Sequence, residues 1–186
     1  MRKQGLQIYV LDSTAFIRLD FPDLLFWGKS TTIEFYTTPG IVSELKDFRS
    51  RVNLDLLSQS TKFSVTEPSS SLVQKVKQEI QVFDPQTSLS QVDIGVISLT
   101  LELRDRYNGM VALITSDYRL QNAAGHLKVP IHALTDQKIL QLRRWQLKCR
   151  SCGETTDIGG QICPSCGGQL SAVRLSASRG NIGGKE

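Results

Sequence analysis

Four cysteines near the C-terminal end of the chain have the spacing of ligands for a single metal ion. They form two C-x-x-C pairs, Cys149/Cys152 and Cys163/Cys166, and a glycine follows each pair. A two-residue spacer lets both sulfurs of a pair face one ion, and glycine permits the positive φ that such a turn requires. The diglycine at 159–160 is a hairpin signal that would bring the pairs together. We therefore predict one structural zinc ion.

Other uses of these cysteines fit less well. Disulfides are uncommon in cytosolic proteins, and a redox C-x-x-C would not come as a matched pair without a thioredoxin-like unit. Iron remains chemically possible because four tetrahedral thiolates accept either metal. Since all four ligands come from the protein, the site is closed and is expected to stabilise a small ribbon at 148–172 rather than to catalyse.

Four carboxylates form a second candidate group. Asp12 and Asp117 each follow a short apolar segment that is predicted to be a buried strand. Glu44 lies in a helix expected to begin at Thr38-Pro39 and to run past Phe48. Asp93 lies in the first turn of a helix that begins near position 90. The carboxyl ends of parallel strands and the starts of helices share one edge of a sheet, so these side chains are expected to lie close together.

Clustered carboxylates repel one another unless a divalent cation neutralises them, and hard oxygen ligands select Mg²⁺ or Mn²⁺. Such a site would support metal-assisted hydrolysis of a phosphodiester. Each acid also has an ordinary structural interpretation. Asp12 and Asp117 could be helix N-caps, Asp93 could belong to a capping box with Ser90, and Glu44 could be a surface charge.

The elements that would position these residues alternate along the chain. Strands are predicted at 8–11, 32–37, 63–66, 110–114 and 129–133, with helices between them, including a helix at 51–58 and others around 72–83, 90–101 and 117–124. This alternation predicts βαβ units, an α/β fold and a parallel sheet flanked by helices.

Composition and charge set the remaining limits. The 186 residues are 40% hydrophobic and 22% charged, which fits one globular domain and a small module. No segment approaches 18 apolar residues, so we expect a cytoplasmic protein without a membrane segment. Residues 138–186 hold 8 Lys and Arg against 3 Asp and Glu, whereas residues 1–137 hold 14 against 15. The basic end indicates contact with a polyanion or simple solubility.

Four acidic segments carry a resemblance to PIN-domain nucleases: VLDST at 10–14, TPGIVSEL at 38–45, LSQVDI at 89–94 and ITSDY at 114–118. The Leu89-Ser-x-x-Asp93-Ile segment, the Thr115-x-Asp117-Tyr-x-x-Gln121-Asn122 segment and a following four-cysteine ribbon resemble the Nob-type endoribonucleases of ribosome biogenesis. The resemblance implies a PIN-like nuclease domain at 1–133, a basic connector at 134–147, the zinc ribbon at 148–172 and a flexible tail at 173–186.

The resemblance also implies a function. The family matures the 3′ end of small-subunit ribosomal RNA, with Mn²⁺ or Mg²⁺ in the PIN site. By resemblance, Asp12, Glu44, Asp93 and Asp117 would be the catalytic and metal-binding acids. Family members often carry two consecutive acids where this chain has Ser116 and Asp117, which leaves open whether one ion or two is bound.

The expected partner is a single-stranded region of precursor small-subunit ribosomal RNA, within the pre-ribosomal small subunit, bound by a monomeric protein. Basic residues would contact phosphates, and an aromatic residue would stack on a base or pack the ribbon against the nuclease domain. These residues are Arg143, Arg144, Lys148 and Arg150, with Trp145 as the aromatic residue. Two alternatives remain open: a non-catalytic RNA- or ribosome-binding adaptor with an inactive PIN scaffold, and a toxin-type PIN ribonuclease.

Overall fold

A five-stranded parallel sheet is the centre of the N-terminal part of the protein. The computed structural model describes residues 6–18, 33–60, 63–85, 89–108, 110–132, 145–156 and 161–174. The strands are β1 (Gln7–Leu11), β2 (Ile33–Thr37), β3 (Phe63–Val65), β4 (Val111–Ile114) and β5 (Ile131–His132). Their order is β3-β2-β1-β4-β5, and every pair is parallel. The predicted parallel α/β sheet is therefore confirmed.

The strand order places a topological switch at the centre of the sheet. The chain moves outward from β1 through β2 to β3 and then returns to β4 on the other side of β1. Loops that leave β1 and β4 in opposite directions open a crevice at the carboxyl ends of the strands, where open α/β sheets bind their ligands. The backbone N–H of Asp12 donates to the carbonyl of Ile114 at 3.2 Å, which joins the ends of these two strands.

Helices lie between the strands. They are α1 (Ser13–Arg18), α2 (Pro39–Glu44), α3 (Phe48–Ser60), α4 (Ser70–Phe83), α5 (Gln91–Arg106) and α6 (Tyr118–His126). The buried residues of α4, which are Val76, Ile80 and Phe83, recur at helical spacing, and this helix packs on α5. α5 is buried around most of its surface and packs on β1 and β4. Among the described residues, no helix is long and apolar enough to cross a membrane.

One helix boundary differs from the sequence prediction. A helix from Thr38-Pro39 past Phe48 was expected, but α2 ends at Glu44 and Leu45 is extended. Asp47 then accepts a hydrogen bond from the backbone N–H of Ser50 at 2.9 Å and caps α3, which begins at Phe48. Because Asp47 is the N-cap of a new helix, residues 45–47 do not continue α2, and α2 and α3 are separate helices.

The C-terminal part forms a small antiparallel sheet of β6 (Trp145–Cys149), β7 (Thr155–Thr156) and β8 (Leu170–Arg174), in the order β7-β6-β8. A two-stranded ribbon with a hairpin at 159–160 was expected. That turn lies outside the described residues, as do most of the predicted connector and tail. The sheet has three strands because the first cysteine turn connects β6 to its partner β7, and β8 pairs with the other edge of β6.

Candidate functional site

Asp12 lies at the centre of the crevice, directly after β1, and is only 2% exposed. Its Oδ2 atom accepts hydrogen bonds from the hydroxyls of Thr14, at 2.9 Å, and Thr115, at 2.8 Å. Burial raises the pKa of the Asp12 carboxyl above its ordinary value, the two threonine hydroxyls oppose this shift, and the charge of Asp93 adds to it. Asp12 is thus a buried carboxylate held in one orientation.

The two threonines connect the loops that follow β1 and β4. The Thr14 hydroxyl accepts from the backbone N–H of Ser116 at 2.9 Å, and the Thr115 hydroxyl accepts from that of Asp117 at 3.0 Å. The side-chain amide of Gln121 donates to the carbonyl of Thr115 at 3.2 Å. The sequence motifs contained both threonines, but only the pairing of β1 with β4 shows that they meet at Asp12.

The charges of Glu44 and Asp93 interact with that of Asp12. Asp93 raises the pKa of Asp12, and Asp12 raises the pKa of Glu44. Burial raises the pKa of the Glu44 carboxyl, and the charges of Asp93 and Asp12 raise it further. Asp93 forms the predicted capping box, with its backbone N–H donating to the Ser90 hydroxyl and its Oδ2 accepting from the Ser90 N–H at 2.8 Å. The structure therefore brings these three acids into one electrostatic cluster.

Asp117 is engaged differently. As predicted, it is a helix N-cap: its Oδ1 atom accepts from the backbone N–H of Arg119 at 2.7 Å, at the start of α6. Its Oδ2 atom pairs with the Arg119 guanidinium at 3.2 Å. Burial alone would raise the pKa of Asp117, but these contacts with Arg119 lower it below its ordinary value. Arg119 also interacts with the charge of Asp93, so a cation already lies at the mouth of the cluster.

The cysteine cluster is more compact than the carboxylates. Within the described part of the chain, only the four cysteines place three or more candidate ligand atoms within 4.8 Å of one another. The Sγ atoms of Cys149 and Cys166 are 3.5 Å apart, and those of Cys152 and Cys163 are 3.7 Å apart. Tetrahedral zinc with Zn–S bonds of about 2.3 Å needs sulfurs roughly 3.8 Å apart, so the thiols fit this ion.

Backbone geometry around the cysteines is that of two metal-binding turns. Gly153 and Gly167 have φ of 76° and 71°, the positive values predicted from their positions after each pair. A backbone hydrogen bond from Cys152 lowers the pKa of the Cys149 thiol to about 6. The backbone of Glu154 lowers the pKa of Cys152, but side-chain contacts with the neighbouring thiols raise it to about 12. Zinc would replace this uneven sharing of protons with four thiolates.

Two of the predicted RNA-contact residues can be placed. Lys148 and Arg150 are exposed, whereas their neighbours Leu147 and Cys149 are buried. Both cations therefore lie on the outer face of the ribbon. Arg143 and Arg144 lie outside the described residues, and of Trp145 only the backbone, in β6, is described.

Comparison with known proteins identifies the family. Residues 9–103, which include three of the four acids, match the family described as "PIN domain of ribonuclease". The chain is 32% identical over 166 residues to Endoribonuclease Nob1 of Pyrococcus abyssi, covering 88% of this chain and 92% of that protein. The chain belongs to the Nob1 family of PIN-domain endoribonucleases. The Nob-type resemblance predicted from the motifs is thus confirmed, and with it the prediction of an endoribonuclease.

Other matches agree with the Nob1 assignment. The 20S-pre-rRNA D-site endonuclease NOB1 of Saccharomyces cerevisiae is 28% identical over 116 residues, which cover 62% of this chain and 23% of that protein. A solved domain of a functionally unknown protein from Methanocaldococcus jannaschii matches 72% of this chain and 94% of its own length, with a TM-score of 0.50 and 16% identity. The latter match supports the PIN fold alone.

The donor set of the PIN site fits a hard divalent cation. Asp12, Glu44 and Asp93 present carboxylate oxygens. The charge of Asp93 raises the pKa of Asp12 and of Glu44, and the charge of Asp12 raises that of Glu44, a repulsion that a cation would relieve. Among the described residues, the Ser116 hydroxyl, next to Asp117 in sequence, is buried and has no hydrogen-bond partner. Since the carboxylates lie farther apart than the thiols, an ion that retains several water ligands, as Mg²⁺ does, fits better than one that needs a closed cage.

Proposed function

We propose that this Nob1-family protein cleaves precursor small-subunit ribosomal RNA to produce its mature 3′ end. The observation that carries the proposal is the buried Asp12, held by Thr14 and Thr115 at the switch point of a Nob-type PIN sheet. The charges of Asp93 and Glu44 support it, since Asp93 raises the pKa of Asp12 and both Asp93 and Asp12 raise that of Glu44. The name of the yeast relative, a 20S-pre-rRNA D-site endonuclease, supports this choice of substrate. We also infer that the protein acts as a monomer in the cytoplasm.

The catalytic acids in this proposal are Asp12, Glu44, Asp93 and Asp117, which would hold one or two Mn²⁺ or Mg²⁺ ions. A bound divalent ion lowers the pKa of water and neutralises charge on the phosphate. Thr14 and Thr115 keep the Asp12 carboxylate aimed at the crevice. Asp117 would contribute once Arg119 releases its Oδ2 atom, and 62% of the Arg119 side chain is accessible to solvent.

The ribbon would hold one structural zinc ion and grip RNA. Lys148 and Arg150 lie on its outer face and would contact phosphates, with Arg143, Arg144 and Trp145 of the preceding segment beside them. A single-stranded substrate is expected because the scissile phosphate must come close to Asp12, which is buried. We retain the division into a nuclease domain at 1–133, a basic connector at 134–147, a ribbon at 148–172 and a flexible tail at 173–186.

Cleavage of an RNA that spans the mature 3′ end tests the proposal. Wild-type protein with Mn²⁺ should cut once at the mature end, and Asp12→Asn should reduce the single-turnover rate at least about 100-fold. Asp105→Asn is the matched control because Asp105 is 76% exposed on α5 and lies outside the acid cluster. Equal rates for wild type and Asp12→Asn would contradict the assignment of the acids.

The same assay separates the two alternatives. Tight RNA binding without metal-dependent turnover would favour a non-catalytic adaptor with an inactive PIN scaffold. Turnover of unrelated single strands as fast as the ribosomal substrate would favour a toxin-type ribonuclease.

Metal analysis of that preparation should find one zinc per chain and no loss of this zinc when Mn²⁺ is dialysed away.

A further inference from the structure

Two aromatic side chains are exposed beside the acids. Phe48 is 85% exposed at the start of α3, four residues after Glu44, and Tyr118 is 49% exposed at the start of α6, directly after Asp117. A phenylalanine with most of its surface in water gives up the free energy that burial would provide. Both exposed rings thus follow an acid of the site.

Hydrogen bonds fix the backbone at the start of the two helices that carry these rings. Asp47 caps α3 through the backbone N–H of Ser50, and the Arg51 Nε atom donates to the carbonyl of Leu45 at 3.0 Å. The side-chain amide of Asn53 ties α3 to α1 by donating to the carbonyl of Phe16 at 2.7 Å. Tyr118 is fixed in the same way by the cap of Asp117. The backbone that carries each ring is therefore ordered before any ligand arrives.

A cation accompanies each ring. Lys46 is exposed, two residues after Glu44 and two residues before Phe48. Arg119 pairs with Asp117 and interacts with Asp93. Because β1 lies between β2 and β4 in the sheet, the segment after β2 and the segment after β4 start on opposite sides of Asp12. The first segment carries Lys46 and Phe48, and the second carries Arg119 and Tyr118. These two pairs, each a cation and an exposed ring, are the rim of the acid cluster.

We propose that these two pairs bind single-stranded RNA on either side of the scissile phosphate. Phe48 and Tyr118 would each stack on an unpaired base, and Lys46 and Arg119 would contact the adjoining phosphates. This inference rests on the proposed function because it takes RNA as the substrate of the acid cluster. Stacking on exposed aromatic rings next to cations is how proteins bind single strands without reading their sequence.

The arrangement predicts that duplex RNA is a poor substrate. A base in a helix is already stacked on its neighbours and cannot place its face on a protein ring. Two rings on opposite sides of the acids require two unpaired nucleotides that flank the cleaved bond. The pairs therefore select an unpaired segment, whereas the position of cleavage within it depends on other contacts.

Fluorescence anisotropy with a labelled 12-nucleotide single strand, zinc-loaded protein and no added Mn²⁺ or Mg²⁺ tests this proposal. Phe48→Leu and Tyr118→Leu keep an apolar side chain but lose the ring, and each should weaken binding about 5- to 100-fold. Phe48→Trp and Tyr118→Phe should bind within about twofold of wild type. Val82→Ala, at a position 57% exposed on α4, is the control for loss of an exposed apolar group.

A second readout separates stacking from simple loss of contact. A 2-aminopurine placed next to the scissile bond should lose fluorescence on binding to wild type and should keep it with Phe48→Leu or Tyr118→Leu. Wild-type affinity and quenching in both leucine variants would overturn the inference even if the protein cleaves its RNA. Weakened binding in a protein that shows no metal-dependent cleavage would support the stacking surface and reject the proposed function.

Discussion

At the scale of single residues, burial and hydrogen bonding act on Asp12 in opposite directions. Removing a carboxylate from water raises its pKa, and the hydroxyls of Thr14 and Thr115 partly restore the charged form. An ionised Asp12 thus depends on side chains from two loops that are about a hundred residues apart in the chain. The pH range in which the site works should therefore depend on these threonines.

Thr115→Val should shift the acidic limb of the pH–rate profile upward. The substitution removes the donor to Asp12 Oδ2 and keeps the shape of the side chain, so the pKa of Asp12 should rise further. A hydrogen bond to a charged group contributes about 1.5–3 kcal/mol, which corresponds to roughly one to two pH units. Since the ionised carboxylate is the active form, activity should be lost at a higher pH as the solution is acidified.

Thr100→Val is the control for this experiment. Thr100 is also fully buried, and its hydroxyl donates to the carbonyl of Val96 within α5, outside the site. Thr115→Val should be the more destabilised in chemical denaturation, because the Thr115 hydroxyl also accepts from the backbone N–H of Asp117, and only Thr115→Val should move the pH profile. An unchanged profile in Thr115→Val would mean that Asp12 is not the titrating acid.

At the scale of elements, the strands and most helices were predictable because each has a local pattern. The apolar segments that became β1 and β4 are buried in the sheet, and the helical spacing of Val76, Ile80 and Phe83 places them in the core as expected. The helix α2 was predicted to end past Phe48 instead of at Glu44, because the signal that starts α3 is one capping aspartate, Asp47, within an otherwise helical segment. The contact between Asp12 and Thr115 depends on strand order, which local patterns do not contain.

Gly40 permits the approach of α2 to α5. A Cβ atom at this position would lie 3.1 Å from a methyl group of Val92, the residue before Asp93. Gly40→Ala should therefore push α2, with Glu44 at its end, away from Asp93, costing about 1–3 kcal/mol through overpacking. A reduced cleavage rate and a lower midpoint of denaturation would check this expectation.

Gly95→Ala is the matched comparison, since a Cβ atom there meets nothing within 4 Å and the residue lies inside α5. Alanine should stabilise the helix by about 0.5–1 kcal/mol because glycine loses more backbone entropy on folding. Equal changes in the free energy of unfolding for Gly40→Ala and Gly95→Ala would show that the packing of α2 on α5 does not require glycine at position 40.

A second close approach lies in the zinc ribbon. A Cβ atom on Gly168 would be 2.5 Å from the Ser151 hydroxyl and 3.1 Å from the Cys149 sulfur. Gly168→Ala should displace Cys149 and accelerate loss of zinc to a chromogenic chelator. The double variant Gly168→Ala/Ser151→Gly should recover part of the wild-type rate because it removes the nearest contact. If the single and the double variant both lost zinc at the wild-type rate, this steric explanation would be wrong.

At the scale of the whole molecule, positive charge is concentrated at the C-terminal end. Residues 138–186 carry 8 basic against 3 acidic residues, a net of +5, and the remainder is close to neutral. Four thiolates and one Zn²⁺ contribute about −2, so the zinc-loaded segment is less positive than its sequence indicates, roughly +3. Its contribution to RNA affinity therefore depends on where the cations lie as well as on their number.

The salt dependence of RNA binding would measure that contribution. Each phosphate that a protein cation neutralises on a single strand adds about 0.7 to the magnitude of the slope of log K against log salt concentration. Lys148→Ala/Arg150→Ala should thus reduce the slope by about 1.4 and weaken binding most at low salt. Lys75→Ala/Arg106→Ala removes two exposed cations from α4 and α5 and should leave the slope unchanged. Equal slopes in wild type and the ribbon variant would show that the outer face of the ribbon contacts no phosphate, and the RNA grip would then belong to the rim of the acid cluster.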